Sequence, residues 1–283
     1  MTMIRRALMI PVTAAILMLG ALTASAASAD TPAREELEAF LEVTGFDVAL
    51  ESIRLSADAA PQMLGLQADA FGSEWQRLVG DIFKTQLMHD MAIDILEKTL
   101  SDDLLSHAAD FYASDLGARL VVVENRSHMI EEDGLKSESG GQIIEGLTAL
   151  GSPRIGILER LNAASGGEDS AIRSIQEVQI RFLMAAAGAG VIELQMDEPD
   201  LREAMQSQEE ELRQSLRQSA LEGAAYTYQA FSDAEMTDYA EALEHPQMQE
   251  VYALMNAVQY EIMANRFEAV AERLRSMQPS QDL

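Results

Sequence analysis

Cysteine is absent from all 283 residues. No disulfide can form, no thiolate can serve as nucleophile or metal ligand, and the chain must gain its stability from burial. Basic residues are scarce, 20 Lys and Arg against 47 Asp and Glu, for a net charge of −27. Such a surface repels phosphate backbones and anionic headgroups, which argues against nucleic acid and electrostatic membrane docking while leaving cationic partners open. Aromatic residues make up only 5% of the chain and proline numbers 7. Four of these prolines, Pro32, Pro153, Pro199 and Pro246, follow Thr31, Ser152, Glu198 and His245 at places where helices would begin.

What is present is helical periodicity. Apolar residues recur at spacings of three and four, as in Trp75, Leu78, Val79, Ile82 and Phe83 and on through Leu87, Met91 and Ile95. Alternation of period two hardly occurs, so the chain reads as all-α. At the start, Arg5 and Arg6 precede an apolar run, Ala7 to Leu22, and then the small-residue triplets Ala24-Ser25-Ala26 and Ala27-Ser28-Ala29. This is the pattern of a cleavable export signal, and it predicts a periplasmic protein with no stable membrane span after cleavage. Loss of residues 1–29, which carry two arginines and no carboxylate, would take the net charge from −27 to −29.

Two sets of correspondences run along the remainder. Ser232-Asp233 matches Ser101-Asp102 at an offset of 131 residues, which also sets Pro246 opposite Asp115 and Val251 opposite Leu120. Thr31-Pro32, Leu37-Glu38 and Thr44-Gly45 match Ser152-Pro153, Leu158-Glu159 and Ser165-Gly166 at an offset of 121. These correspondences predict a tandem duplication, with helical halves at 31–133 and 152–274. Residues 134–151, with DGLK and ESGG, would be a linker containing a short helix, and 275–283 a flexible tail.

The stretch Asp110 to Asn125, DFYASDLGARLVVVEN, reads as a helical corner. Ser101 would open a helix ending in the anchors Phe111 and Tyr112, and Ser114 would cap a second helix. Gly117 lies in the first turn of that second helix, where the lack of a side chain lets another backbone approach. The phrase Leu105-x5-Phe111-Tyr112-x-Ser114-x2-Gly117-x2-Leu120, behind an export signal and the opening ELEAFLEVTG, resembles the bacterial family called domain of unknown function 2059. The resemblance implies a helical, exported protein and brings no catalytic residue with it. In the second half Ala242, Leu243, His245 and Met248 replace Phe111, Tyr112, Ser114 and Gly117. Any defined site is therefore expected in the first half, with Phe111, Tyr112, Ser114 and Gly117 as binding candidates.

Other chemistry is thinly marked. No Gly-Lys phosphate loop, H-E-x-x-H helix or G-x-S-x-G elbow occurs, and Gly188-Ala189-Gly190 lacks the further glycine of a dinucleotide loop, so no cofactor is expected. Three histidines follow a carboxylate by four residues: Asp103 with His107, Glu124 with His128, and Glu241 with His245. Such pairs share a helix face and suit a divalent metal, although surface hydrogen bonding takes precedence without an E-x-x-H pair of the di-iron type. Met88, His89 and Met91 carry soft ligands for Cu(I), yet Met at this spacing also fills cores. The leading expectation is a non-enzymatic module binding a protein, peptide or small apolar ligand between its halves. A metal-handling or hydrolytic protein built on the His and carboxylate pairs is the alternative.

Overall fold

The computed structural model describes residues 32–66, 73–130, 133–166 and 168–276. The export signal expected at residues 1–29 and the tail beyond Ser276 lie outside the described residues. Among those described there is no strand, and no helix is long and apolar enough to cross a membrane.

The helices begin and end where local chemistry directs. Helix α1 (Arg34–Thr44) starts with Glu36 accepting the Ala33 N–H at 3.0 Å, and stops at Gly45, whose φ of 72° is left-handed. After α2 (Phe46–Ser52), a 3-10 stretch (Ile53–Ala59) and the short α3 (Ala60–Met63) come α4 (Ser73–Ile82) and α5 (Thr85–Thr99). Helix α6 (Asp102–Tyr112) is capped by Ser101, which accepts the Leu104 N–H, and α7 (Asp115–His128) by Ser114, which accepts the Gly117 N–H. There follow α8 (Asp133–Ala149), α9 (Arg154–Ala164), α10 (Glu168–Gly188), α11 (Glu198–Gln206) and α12 (Glu209–Thr227). Helix α13 (Asp233–Leu243) opens with the Ser232–Glu235 capping box, and α14 (Pro246–Leu274) places Pro246 in its first turn.

The ends of α6 and α13, and the starts of α7 and α14, all stand 131 residues apart. Contacts repeat at the same offsets. A Cβ added to Gly45 would lie 2.4 Å from Asn125 Oδ1 on α7, and one added to Gly166 would lie 2.4 Å from Asn256 Nδ2 on α14. The pairs Gly45/Gly166 and Asn125/Asn256 are offset by 121 and 131. Both segments share one continuous core, which runs from Leu37 on α1 to Leu274 on α14. Phe267 joins them directly, with its ring edge-on to Phe83 at 6.1 Å and to Phe182 at 5.2 Å.

Few cations serve many carboxylates at the surface. Arg181 on α10 grips Glu268 of α14 with two bonds of 2.7 and 2.8 Å and takes Glu261 with a third. Arg154, almost buried, ties α9 to Asp233 at 2.9 Å and to the Tyr228 carbonyl.

The stretch 134–151 departs from expectation. In place of a short helix it forms α8, a 17-residue helix laid along α12. Two adjacent glycines explain the fit: a Cβ on Gly140 would come within 2.1 Å of the Glu222 carbonyl, so the two backbones touch where no side chain intervenes. Ile143 and Ile144 then pack on a small satellite core of Leu158, Ala224 and Ala225. Gly140→Leu is expected to lift α8 from α12 at a cost of about 1–3 kcal/mol, the usual range for overpacking. Hydrogen exchange should accelerate in 133–149 and leave α6 and α13 protected; unchanged exchange in α8 would contradict the close crossing.

Candidate functional site

The corner between α6 and α7 aims Tyr112 inward. Ser114 Oγ accepts the Gly117 N–H at 3.1 Å, and a Cβ on Gly117 would sit 2.2 Å from the Phe111 carbonyl oxygen and 2.6 Å from the Tyr112 Cα. Only glycine lets the start of α7 fold this tightly beneath the end of α6. Tyr112 is left 4% exposed with its hydroxyl among three others.

Four of the six tyrosines in the chain meet there: Tyr112 on α6, Tyr228 just after α12, Tyr239 on α13 and Tyr252 on α14. The Tyr239 hydroxyl lies 3.3 Å from that of Tyr112 and 3.0 Å from that of Tyr252, and Tyr112 and Tyr252 also bond each other. Tyr239 and Tyr228 both donate to one oxygen of Glu124, Oε1, at 2.9 and 2.7 Å. Burial raises the Glu124 pKa above the ordinary carboxylate range, partly opposed by these two donated bonds. Burial and the nearby carboxylate push the phenols of Tyr228 and Tyr239 well above their usual range, and burial with the Tyr252 phenol does the same for Tyr112. All are neutral donors at physiological pH.

The cluster forms one wall of a chamber of about 280 Å³ between α1, α7, α9 and α14. Phe40, Phe46, Leu161, Leu243 and Met255 supply apolar surface, and Asn125, Asn162, Ser165, Asn256 and Gln259 supply amides and a hydroxyl. Asn256 Nδ2 donates to the Ser165 carbonyl at 3.0 Å, whereas Asn125 Oδ1 is buried with no partner. A second chamber, of about 480 Å³, adjoins the first through Glu124, His128, Asn162 and Tyr228, and is lined further by Ser127, Lys136, Ser137, Ser219 and Thr227. Desolvation and the Lys136 ammonium hold the His128 pKa below that of a free imidazole.

The candidates read from the sequence divide sharply. Tyr112, Glu124 and His128 line the chamber. Phe111 does not: its ring stacks on Tyr239, 5.7 Å between centroids and 7° between planes, and meets Tyr112 edge-on. Ser114 and Gly117 build the corner and stay out of the lining. The metal candidates are otherwise engaged. Met88 is fully buried, Met91 packs against the core, and His89 Nε2 pairs with the Asp47 carbonyl at 3.1 Å, so core packing accounts for the two methionines. His107, which is not among the residues lining the chamber, stacks on His245 with 4.4 Å between ring centroids. Among the described residues no three His, Asp or Glu side chains converge as metal ligands. Glu124 is engaged by phenols. Tyr228, Tyr239, Tyr252, Asn125 and Asn256 went unread, although the two asparagines are identical residues at the offset of 131 and an extended repeat alignment finds them.

Fold and site define an all-helical protein with a small-molecule-sized, partly polar chamber between two helical segments. Residues 86–145 match a family described as an uncharacterized protein conserved in bacteria (DUF2059). The matched segment, from α5 into α8, contains the Phe111-Tyr112 corner together with Glu124 and Asn125. No curated protein and no solved structure matches the chain.

Proposed function

We propose that this is an exported, non-enzymatic binding protein that holds one small molecule in the chamber between two duplicated halves. The carrying observation is that the chamber walls consist of corresponding positions. Phe40 and Leu161, and Thr44 and Ser165, are offset by 121; Tyr112 and Leu243, Glu124 and Met255, Asn125 and Asn256, and His128 and Gln259 are offset by 131. A duplicated scaffold creates a seam at its internal axis, and divergence there has left Glu124 and Tyr112 in the first half where the second has Met255 and Leu243, while the second half adds Tyr228, Tyr239 and Tyr252. The size supports a small molecule over a protein, as ligand chambers begin near roughly 300 Å³. Binding is favoured over turnover because burial holds the phenols of the chamber neutral, which makes them poor nucleophiles. Export rests on the leader sequence, Arg5 to Ala29.

A panel of neutral probes, phenol, benzyl alcohol, indole and cyclohexanol, should raise the melting temperature saturably, one molecule per chain. Leu161→Trp, which fills the apolar wall, should abolish this while helical circular dichroism and cooperative melting persist. Absence of binding across the panel and by its charged analogues benzylammonium and benzoate, or substrate turnover by the parent protein in a hydrolase screen, would defeat the reading.

A further inference from the structure

We infer that the chamber is built for an organic cation: an ammonium or amidinium nitrogen set against Glu124, on a ring-sized apolar body packed against Phe40 and Leu161. The inference rests on the proposed binding role and names the ligand class for the same site. Its first support is the use of the carboxylate. Tyr228 and Tyr239 both donate to Oε1 of Glu124, and no described side chain donates to Oε2. The second oxygen of this chamber-lining carboxylate is thus open to a cationic N–H, which would take it with a charge-assisted bond.

The balance of donors and acceptors points the same way. The hydroxyl protons of the tyrosines are spent on one another and on Oε1, and Asn125 Oδ1 is a further acceptor without a donor. No Lys or Arg lines the first chamber, so an anionic ligand would meet Glu124 with no compensating charge. Lys136 belongs to the adjoining chamber. The depressed His128 pKa keeps its imidazole neutral at physiological pH. Aromatic side chains on several sides of the chamber favour a cation further, and the net charge of −27 draws cations toward the protein.

The groups around Glu124 also set the pH dependence. Its burial-raised pKa means that acidification neutralises it early, and protonation of His128 on the same helix, once it occurs, adds repulsion. The phenols of Tyr112, Tyr228, Tyr239 and Tyr252, all raised by burial, stay neutral there, and Lys136 of α8 is a charged neighbour of His128 in the adjoining chamber. Cation affinity should fall on acidification, while affinity for a neutral isostere should hold.

The test compares benzylammonium, benzyl alcohol and benzoate by calorimetry on the full mature chain. Benzylammonium is expected to bind about tenfold or more tighter than benzyl alcohol, with benzoate weakest, as a charge-assisted bond predicts. Glu124→Gln, which keeps an acceptor for the two tyrosines, should bring benzylammonium down to the level of benzyl alcohol on the same variant. Should Glu124→Gln fail to fold, the pH series on the parent protein decides alone. Benzyl alcohol binding as tightly as benzylammonium, or benzoate binding best, overturns the cation assignment and leaves the binding role intact. Failure of all three probes overturns both.

Discussion

Gly117→Leu is expected to destabilise the protein by about 3 kcal/mol or more, the upper end of what overpacking produces. The reason is backbone, and backbone cannot step aside as a side-chain tip can. A Cβ at this position would stand 2.2 Å from the Phe111 carbonyl and 2.6 Å from the Tyr112 Cα, so α7 must withdraw from α6. That withdrawal breaks the short turn through Ala113 and Ser114 and turns the Tyr112 hydroxyl away from Tyr239 and Tyr252. Denaturant unfolding gives the stability change, and probe binding by the residual folded protein reports the chamber. A loss under about 0.5 kcal/mol would place Gly117 among ordinary surface positions and refute the close approach.

Phe267→Ala is expected to cost about 3–5 kcal/mol, as truncation of a buried aromatic does. Phe267 is 3% exposed and wedged edge-on between Phe83, which follows α4, and Phe182 of α10. The cavity would open where the first segment meets the second. Because the core is continuous from Leu37 to Leu274, melting should remain a single transition at lower temperature. Two separated transitions, with α1 to α7 melting as in the parent, would mean that the segments fold independently.

Both substitutions act at places where sequence and tertiary structure contribute unequally. The periodicity of Trp75 to Ile95, the Ser101, Ser114 and Ser232 caps and the Gly45 stop are local: each depends on neighbours within about one helical turn, so the sequence alone carries them. Gly117 was legible for the same reason, since its partner is the turn just before it. The length of α8 was not legible in 134–151 because Gly-rich, polar sequence normally breaks helices. Here Gly140 instead admits the Glu222 carbonyl of a helix some eighty residues away, a contact that no local rule anticipates.

The chamber belongs wholly to the tertiary level. Tyr112 meets Tyr239 across 127 residues and Tyr252 across 140, and Glu124 meets Tyr228 across 104. In the sequence Glu124 looks like a metal partner for His128, since four residues place both on one face. Folding gives its carboxylate to two phenols from other helices and sets it in a desolvated wall. Spacing along a helix determines which side chains share a face, while the packing of α12, α13 and α14 against α7 decides what that face meets and therefore what chemistry it can perform.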